Sequence, residues 1–476
     1  MNRDKIRKQA LTWSVDWIAG REMALDMNFV LIDFQDIRSG GFGTMGLVQL
    51  LRKRGHQAHV IAGSSISEVM EDKEKLFDAL TRLEPNAIGL SVMTPHADWV
   101  NRVSQLCRAW RWSVPIILGG YHSTVFSASE LFSFHPDLDY IVHGDADVAL
   151  PALIEMLSAG GGPMPVGVTA RGQVGAAAIQ SLDGKHMDAS RVPLWDEEAI
   201  DRSYYDPARI SGHGILPVPS RYVLYSRGCP YTCKFCQLDG DNGFRSKVKF
   251  YDADTIVDHL TVITAKYGLK SVSFLDDNFT INKKWAAGIC ENLISRGPRI
   301  SWWAQVRADL YDHELMKLMY AAGCRVVTIT IESGSERIRR MVLGKSISNE
   351  QILAAYDGAR SLGLVIQGTL LLGNPTETEA DLDESIAFLR RADPDYAGIL
   401  MMTPIPGTEI YNTYRDRIRW TEFRDFEIAR QPELLGRSDV RLMFHQCRDN
   451  VLLERFHQIR AEYDYNVRRH RWAHLT

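Results

Sequence analysis

The chain has 476 residues, of which 45% are hydrophobic and 24% are charged. This composition excludes a disordered protein, and the length suffices for two or three domains. The 55 Lys and Arg residues nearly balance the 59 Asp and Glu residues, which leaves a formal charge of −4. The sequence therefore gives no global electrostatic reason to expect nucleic acid or an anionic membrane as a partner, and small-molecule chemistry fits better.

Targeting and cysteine content set two further bounds. The N-terminal stretch is interrupted by charges and has no continuous apolar segment. A run of about 18 apolar residues, which would predict a membrane span, does not occur anywhere in the sequence. We therefore expect a cytoplasmic protein. Seven cysteines, an odd number in a long chain, argue for metal or redox use in a reducing compartment rather than for a disulfide framework.

Strand and helix patterns alternate twice along the chain. The first half shows an apolar strand, a glycine-rich turn and a helix, followed by four further strands. Helical segments lie between them, which predicts a parallel sheet covered on both faces, with a ligand at the carboxyl ends of the strands. These five predicted strands begin near residues 28, 56, 86, 114 and 138.

The second alternation starts near residue 220 and contains six predicted strands over about 190 residues, which favours a curved, partial (β/α)6 barrel rather than a full eight-stranded one. The predicted fold class is thus α/β, with an N-terminal doubly wound, flavodoxin-like or Rossmann-like domain followed by the partial barrel. The predicted boundaries are an extension at 1–27, a doubly wound domain at 28–160, a connector at 161–214, a barrel at 215–410 and a C-terminal segment closing the barrel at 411–476.

Three cysteines are concentrated in one short stretch, SRGCPYTCKFC, directly after a predicted strand. Cys229, Cys233 and Cys236 are one thiol short of a closed tetrahedral zinc site or a fully cysteine-ligated iron–sulfur cluster, so whatever they bind keeps an open position. A structural zinc site is the alternative, but it needs a fourth ligand, and neither a second CxxC nor a well-spaced histidine follows.

This Cys-x3-Cys-x2-Cys spacing, with Phe235 before the last cysteine, resembles that of the radical S-adenosylmethionine (SAM) enzymes. FLDDNFT, AQVRADL, TIESGSERIRRMVLGK, LLGNPTETEADL and TPIPGTEIY follow in the order expected of their partial barrel. The resemblance implies that the three cysteines bind a [4Fe–4S] cluster whose fourth iron is chelated by SAM, and that an external donor such as flavodoxin or ferredoxin supplies electrons. A fourth cysteine would occupy the iron that SAM needs.

The same resemblance indicates residues for the polar groups of SAM. Glu332 and Arg307 are candidates, with Gln305 and Phe235 nearby, because a carboxylate can accept from the amino group or ribose and an arginine can pair with the carboxylate. Ordinary strand-end salt bridges are the alternative for Glu332 and Arg307. The catalytic residue stays unassigned. Asp276 and Asp277 are candidates that either face the substrate or satisfy backbone groups of a turn.

The first alternating block resembles the cobalamin-binding domain that precedes the barrel in many radical SAM enzymes, through GTMGLVQLLRKRGHQAHVI, GLSVMT, LGGYHST and DYIVHGDAD. By this resemblance Ser91, Thr94, Gly119 and Gly120 line the pocket for the nucleotide tail, and the paired glycines let the backbone come close to it. Tyr121 and the acidic Asp145–Asp147 stretch depart from the usual family residues. A vestigial domain that binds nothing is the alternative.

A related type of cobalamin domain carries a histidine, two residues after an aspartate, that ligates cobalt from below. Here Asp33 is followed two residues later by Gln35, so the resemblance favours a cobalt whose lower face is unligated or water-bound.

Three functions agree with these features. The first is a cobalamin-dependent methyltransferase that acts on an unactivated carbon of a biosynthetic small molecule. The second uses both cofactors for cyclisation, ring contraction or rearrangement. The third is a binding or redox module without turnover.

Overall fold

The structure, a computed structural model, describes residues 26–34, 41–62, 73–173, 194, 200, 214–237, 248–420, 422–427, 441–442 and 445–472. None of the helices in these ranges is both long and apolar enough to cross a membrane.

The N-terminal domain is built on one six-stranded sheet with the order β2-β1-β3-β4-β5-β6. The strands are β1 Asn28–Asp33, β2 Gln57–Ile61, β3 Ala87–Ser91, β4 Ile116–Gly119, β5 Tyr140–Val142 and β6 Val168–Ala170. The helices are α1 Phe42–Lys53, α2 Lys73–Leu83, α3 Asp98–Trp110, α4 His122–Val125, α5 Ala128–Phe134 and α6 Ala146–Ser158. The five predicted strands are present and pair in parallel.

Both faces of this sheet are buried. Val30 and Ile32 of β1 face the core that α2 and α3 cover, whereas Phe29 and Leu31 face the core that α1 and α6 cover. Alternating side chains of one strand thus contribute to two cores, as the doubly wound fold requires. The strand β6 was not predicted: it has three residues, lies in the stretch assigned to the connector and pairs antiparallel with β5.

The barrel domain contains a second six-stranded parallel sheet, in which the strands pair in chain order. They are β7 Ser220–Val223, β10 Ser271–Phe274, β11 Ser301–Val306, β12 Cys324–Ile329, β13 Val365–Leu372 and β14 Tyr396–Met401, and a small antiparallel pair, β8 Ser226–Arg227 and β9 Lys249–Phe250, follows β7. The helices between them are α7 Ala253–Tyr267, α8 Lys283–Arg296, α9 His313–Ala321, α10 Asn349–Ser361 and α11 Glu379–Ala392. The predicted partial barrel is confirmed.

The two tryptophans of β11 show which side of this sheet is which. Trp302 packs in the core shared with the surrounding helices, and Trp303 lies in a smaller core on the other, concave face. That smaller core also contains Tyr396 and Trp472 from the end of the chain. The last described residues therefore fill one end of the barrel interior.

The C-terminal part comprises α12 Glu409–Tyr414, a strand pair β15 Ile418–Arg419 and β16 Arg441–Leu442, and the helices α13 Asp449–Glu462 and α14 Tyr465–Arg468. It contacts both domains. Phe423 and Phe426 belong to the core of the N-terminal domain, whereas Leu452 and Phe456 of α13 belong to that of the barrel.

Two buried histidines lie beneath this C-terminal segment. Asn101 donates its side-chain amide to the Phe134 carbonyl at 2.9 Å, so its Oδ1 is the acceptor for His135 Nδ1 at 3.0 Å. With one proton on each ring, His135 Nε2 accepts from His122 Nε2, 3.2 Å away, and His122 Nδ1 carries no proton. Phe423 packs edge-on against His122 at 4.8 Å between ring centroids. This arrangement suits two neutral imidazoles, and the burial of both rings disfavours their charged forms.

Acid is expected to weaken this packing. Burial lowers the pKa of His122 to about 3, with the neighbouring His135 adding to the effect, and lowers the pKa of His135 to about 4. Below pH 6.5 the unfolded chain binds protons at these sites that the folded chain does not, so stability falls as the pH falls. The loss at pH 5 is about 2 kcal/mol for each histidine.

The measurement is urea unfolding followed by far-UV circular dichroism at pH 7 and pH 5. The His135→Gln protein should lose about 2 kcal/mol less stability between these pH values than the unchanged protein. His457→Gln is the matched control, because this histidine is exposed on α13. Equal losses in the unchanged protein and the His135 variant would contradict the expectation.

Candidate functional site

The three-cysteine loop, residues 229–236, follows β8 directly. Gly228 joins them with φ 92°, a backbone conformation that favours glycine. Cys229, Cys233 and Cys236 are free thiols and half-buried. In the described part of the chain no three His, Cys, Asp or Glu side chains converge closely enough to bind a single metal ion. The three thiols suit a cluster better, because its ligands bind different irons.

Neighbouring elements fix the backbone of this loop. The Lys234 amide donates to the Leu343 carbonyl at 3.0 Å, and the Lys234 carbonyl accepts from the Ile410 amide at 3.0 Å. Lys234 Nζ also pairs with Glu409 at 3.0 Å. The loop is therefore held between the segment after β12 and the start of α12.

Positive charges lie close to the central thiol. Burial raises the pKa of Cys233, whereas the charges of Lys345 and Arg307 act in the opposite direction and favour the thiolate. The Arg307 guanidinium lies 3.5 Å from the centre of the Tyr231 ring, within the loop, and donates two hydrogen bonds of 3.0 Å to Asp309. Arg307 thus contacts the three-cysteine loop and is already paired at its strand end. Its contact with SAM stays a prediction.

Glu332 lies just beyond β12 with φ 63°, an uncommon conformation for a residue with a side chain. Its amide donates to the Thr369 carbonyl at 3.1 Å, and its carbonyl accepts from the Leu371 amide at 2.7 Å, so β13 fixes this backbone. Lys345 Nζ donates to Glu332 Oε1 at 2.8 Å and also to Thr330 Oγ1. The carboxylate is only 13% exposed and the lysine 5%.

A buried arginine positions Lys345. The chain between Glu332 and Lys345 forms a π-helical turn, Arg337–Val342. The fully buried Arg339 donates from Nε to the Ile347 carbonyl at 2.8 Å and from Nη2 to Asn349 Oδ1 at 2.7 Å, and it also donates to the Ser333 carbonyl. Arg339 thereby connects the residues before the π-helical turn with those after Lys345. Sequence analysis assigned no role to Lys345 or Arg339, because a π-turn has no clear signal in a single sequence.

The two adjacent aspartates have opposite surroundings. Asp276 is fully buried, and its Oδ1 accepts from the Tyr225 amide at 3.1 Å and from Ser226 Oγ at 2.5 Å. Burial, with a contribution from Asp277, raises the pKa of Asp276 to about 7. Asp276 therefore fixes the backbone that leads into the three-cysteine loop, and it does not face an open site.

Asp277, in contrast, is exposed, and its charge contributes to the raised pKa of Cys229. The surrounding protein nevertheless desolvates this carboxylate and raises its pKa to about 6, as in a concave site. Of the two predicted catalytic candidates, only Asp277 is open towards the three-cysteine loop.

The other two residues predicted to contact SAM are Phe235 within the loop and Gln305 on β11. Phe235 is partly buried against the barrel core. Gln305 is half-buried on β11, and its backbone carbonyl accepts from the Phe279 amide at 2.9 Å. Their contacts with SAM stay predictions.

An interdomain cavity of about 320 Å³ opens at the carboxyl ends of the N-terminal strands. Apolar side chains such as Leu31, Ile117 and Val142 line its inner part, and Asp145, Arg227 and Gln237 contribute polar groups. A Cβ built on Gly43 or Gly144, both in the lining, would meet nothing within 4 Å. The backbone can therefore approach a large ligand closely.

Three of the four residues predicted to bind cobalamin, Ser91, Gly119 and Gly120, line this cavity. Gly120 has φ 93°, and a Cβ there would lie 2.7 Å from the backbone of Val92, so no side chain fits. Thr94 is the exception: it is fully buried in a 3-10 turn and is not part of the lining.

The prediction for the lower face of cobalt concerned Gln35, which lies outside the described residues. Among the described residues that line the cavity there is no histidine. Asp33 accepts from Thr44 Oγ1 at 2.7 Å and so fixes the start of α1 beside the cavity.

The residues that depart from the usual cobalamin-domain pattern join the two domains. Tyr121 donates from its hydroxyl to the Pro406 carbonyl at 2.9 Å. Arg227 Nη1 donates to Asp147 Oδ2 at 2.6 Å across 80 positions of sequence. One end of the three-cysteine loop is therefore tied to the cavity wall.

A doubly wound domain with an apolar cavity, placed over the three-cysteine loop of a partial barrel, defines the class of radical SAM proteins with a cofactor-binding domain. Comparison with known proteins agrees. The Radical SAM superfamily matches residues 223–389, and the B12 binding domain matches residues 42–154. This chain belongs to the radical SAM enzymes that carry a cobalamin-binding domain, and the cofactors of these domains are a [4Fe–4S] cluster, SAM and cobalamin.

Individual proteins are similar to this chain over most of its length. An uncharacterized methyltransferase of Pyrococcus horikoshii is 28% identical over 372 residues, 78% of this chain and 77% of that protein. The anaerobic magnesium-protoporphyrin IX monomethyl ester cyclase of Rubrivivax gelatinosus is 23% identical over 403 residues, 83% of this chain and 70% of that protein. The solved structure of the radical SAM methyltransferase TsrM from Kitasatospora setae has a TM-score of 0.68 and 18% identity, covers 91% of this chain and 88% of its own, and shares the fold.

Proposed function

We propose that this enzyme transfers a methyl group to an unactivated carbon of a biosynthetic small molecule. The observation that carries the proposal is the wall shared by the two cofactor regions: Arg227 and Gln237, at the two ends of the three-cysteine loop, both line the interdomain cavity. A methyl carrier in this cavity and a radical source on this loop are then close enough to act on one substrate.

The residues of both regions fit the groups assigned to them. Cys229, Cys233 and Cys236 provide three thiolates for a [4Fe–4S] cluster, and the apolar cavity with its glycine-lined mouth suits the large tail of cobalamin. When bound, the cluster and SAM supply a carbon-centred radical and the cobalamin supplies the methyl group.

The protein itself orients SAM and keeps water away. We assign Glu332 to the amino group or ribose hydroxyls of SAM, because its carboxylate is a hydrogen-bond acceptor held in place by Lys345. Arg307 is assigned to the carboxylate of SAM. For this contact it must share its guanidinium with Asp309. Asp277, with a pKa raised to about 6, is assigned to the substrate side.

The partners follow from this chemistry. Each radical cleavage of SAM consumes one electron, so we propose an external donor of the flavodoxin or ferredoxin type and a cytoplasmic location where such donors occur. We infer a small-molecule substrate and no nucleic acid partner.

A cyclisation or rearrangement is the second candidate, because the Rubrivivax gelatinosus relative is named a cyclase. Two of the relatives compared carry methyltransferase names, which supports methyl transfer as the first candidate.

The test uses SAM with a deuterated methyl group, a chemical reductant and the reconstituted enzyme. Formation of 5′-deoxyadenosine excludes a module without turnover. With substrate present, methyl transfer requires S-adenosylhomocysteine and 5′-deoxyadenosine in about equal amounts and the label in the product, because one SAM is a methyl source and another a radical source in each turnover. An unlabelled, rearranged product without S-adenosylhomocysteine would support the cyclase instead.

A further inference from the structure

We propose that Arg227 and Asp147 couple occupancy of the interdomain cavity to the position of the three-cysteine loop, so that cobalamin and the iron–sulfur cluster each strengthen the binding of the other. This inference rests on the proposed placement of cobalamin in the cavity. Both residues are positioning residues, because they act on the loop rather than on the reacting atoms.

The position of Arg227 is the first support. It is the last residue of β8 and precedes Cys229 by two positions, so any displacement of its backbone reaches the first thiol through Gly228 alone. Neighbouring contacts restrict its backbone. Arg227 lies opposite Lys249 in the antiparallel pair of β8 and β9, and Ser226 donates from Oγ to the buried Asp276. The backbone of β8 is therefore held in place, and the first thiol of the loop follows Arg227 after a single residue.

The Asp147 side of the bridge belongs to the cavity. Asp147 lies in the first turn of α6, where the helix dipole favours a negative charge. It is 11% exposed, and Arg227 is 25% exposed, so water screens their attraction only in part. Asp145, two residues earlier, also lines the cavity, and burial raises its pKa to about 6, with Asp147 acting in the same direction. Arg227 opposes that shift and so contributes to the charge balance of this wall.

Two further contacts place the other end of the loop at the same wall. Gln237, directly after Cys236, lines the cavity. Tyr121, which lines the cavity as well, donates to Pro406 of the barrel domain and lies near enough to Cys236 for that thiol's charge to affect the pKa of Tyr121. The lining of the cavity thus includes residues at both ends of the three-cysteine loop, within reach of a ligand that fills it.

The coupling has a physical cause. Each cofactor restricts the remaining motion of the side chains in the shared wall at a cost in conformational entropy, and whichever cofactor binds first bears most of that cost, so the second binds more tightly. By linkage the effect is equal in both directions. Typical couplings between sites correspond to about a 5- to 150-fold change in affinity, and two side-chain contacts place this one at the lower end, about 5- to 10-fold.

The experiment measures the affinity of hydroxocobalamin for the full chain, by absorbance titration under anaerobic conditions, before and after reconstitution with iron and sulfide. We expect reconstituted protein to bind about 5- to 10-fold more tightly than cluster-free protein. In Arg227→Gln and in Asp147→Asn the ratio should fall to about 2 or below, and the double variant should show no further loss. Arg227→Lys, which keeps the charge, should restore part of the ratio.

The matched control is Arg54→Gln. Arg54 pairs with Glu155 at 2.8 Å, also on α6, but within the N-terminal domain. It should keep the ratio of the unchanged protein. If Arg227 only contacted cobalamin, Arg227→Gln would weaken binding equally in both states and leave the ratio unchanged, which would overturn the proposal.

The remaining outcomes are also decisive. A ratio near 1 in the unchanged protein overturns the coupling but leaves cobalamin binding intact. No cobalamin binding in either state overturns the coupling together with the cobalamin site. Iron content and circular dichroism of each variant identify variants that fail to fold, and Asp147→Asn then tests the pair from the other side.

Discussion

Replacement of Cys233 by alanine is expected to abolish both cluster assembly and reductive cleavage of SAM. Two thiols remain on the loop in this variant, and they cannot hold three irons of a [4Fe–4S] cluster. Cys233 is the central thiol of the loop, and the charges of Lys345 and Arg307 partly oppose the rise in its pKa that burial causes. Iron and sulfide content after anaerobic reconstitution, together with 5′-deoxyadenosine formation, measure the loss.

The control for this experiment is Cys290→Ala. Cys290 is a fully buried residue of α8, packed in the barrel core, where it acts as a small hydrophobic side chain. Its removal should cost about 1 kcal/mol of stability and leave the iron content unchanged. A normal cluster in the Cys233 variant would show that the ligand assignment is wrong.

The parallel strands of both sheets could be predicted from sequence, in chain order, because each is a short apolar run between turn residues. In a doubly wound domain and a partial barrel these strands are buried on both faces, so each appears in the sequence as a nearly continuous run of apolar residues. The antiparallel β6 was missed because three residues give no periodicity. Trp302 and Trp303 lie on opposite faces of the sheet, since side chains of a strand alternate.

The site was predicted less completely, for reasons that individual residues make clear. Asp276 and Asp277 are adjacent in the chain but have different surroundings, and the sequence alone could not decide which of them points inward. Arg227 and Asp147 are 80 positions apart, and only the packing of the two domains brings them together.

Lys345 is the clearest example of what sequence could not provide. Its ion pair with Glu332 depends on the π-helical turn and on the buried Arg339, neither of which a pattern of hydrophobic residues specifies. The local sequence indicated Glu332 as a candidate, but its ion-pair partner Lys345 could be identified only from the tertiary structure.

The pair of Glu332 and Lys345 leads to the second large expected effect. Glu332→Gln should weaken SAM binding to the reconstituted enzyme about 10- to 150-fold, because a hydrogen bond to a charged group contributes about 1.5–3 kcal/mol. Lys345→Met should in addition destabilise the folded chain by about 1–3 kcal/mol, since it leaves a carboxylate that is 13% exposed without its cation.

The double variant Glu332→Gln, Lys345→Met separates the two roles of this pair. It contains no unpaired charge, so its thermal stability should return close to that of the unchanged protein, whereas its SAM affinity should stay low. Equilibrium dialysis with SAM measures the affinity, and thermal unfolding measures the stability. Lys283→Met is the matched control: Lys283 pairs with Asp312 on the surface and is 55% exposed, so its removal should change stability by less than about 0.5 kcal/mol. If the double variant binds SAM as tightly as the unchanged enzyme, the pair only holds β12 and the π-helical turn together, and the carboxylate that binds SAM must be sought elsewhere around the three-cysteine loop.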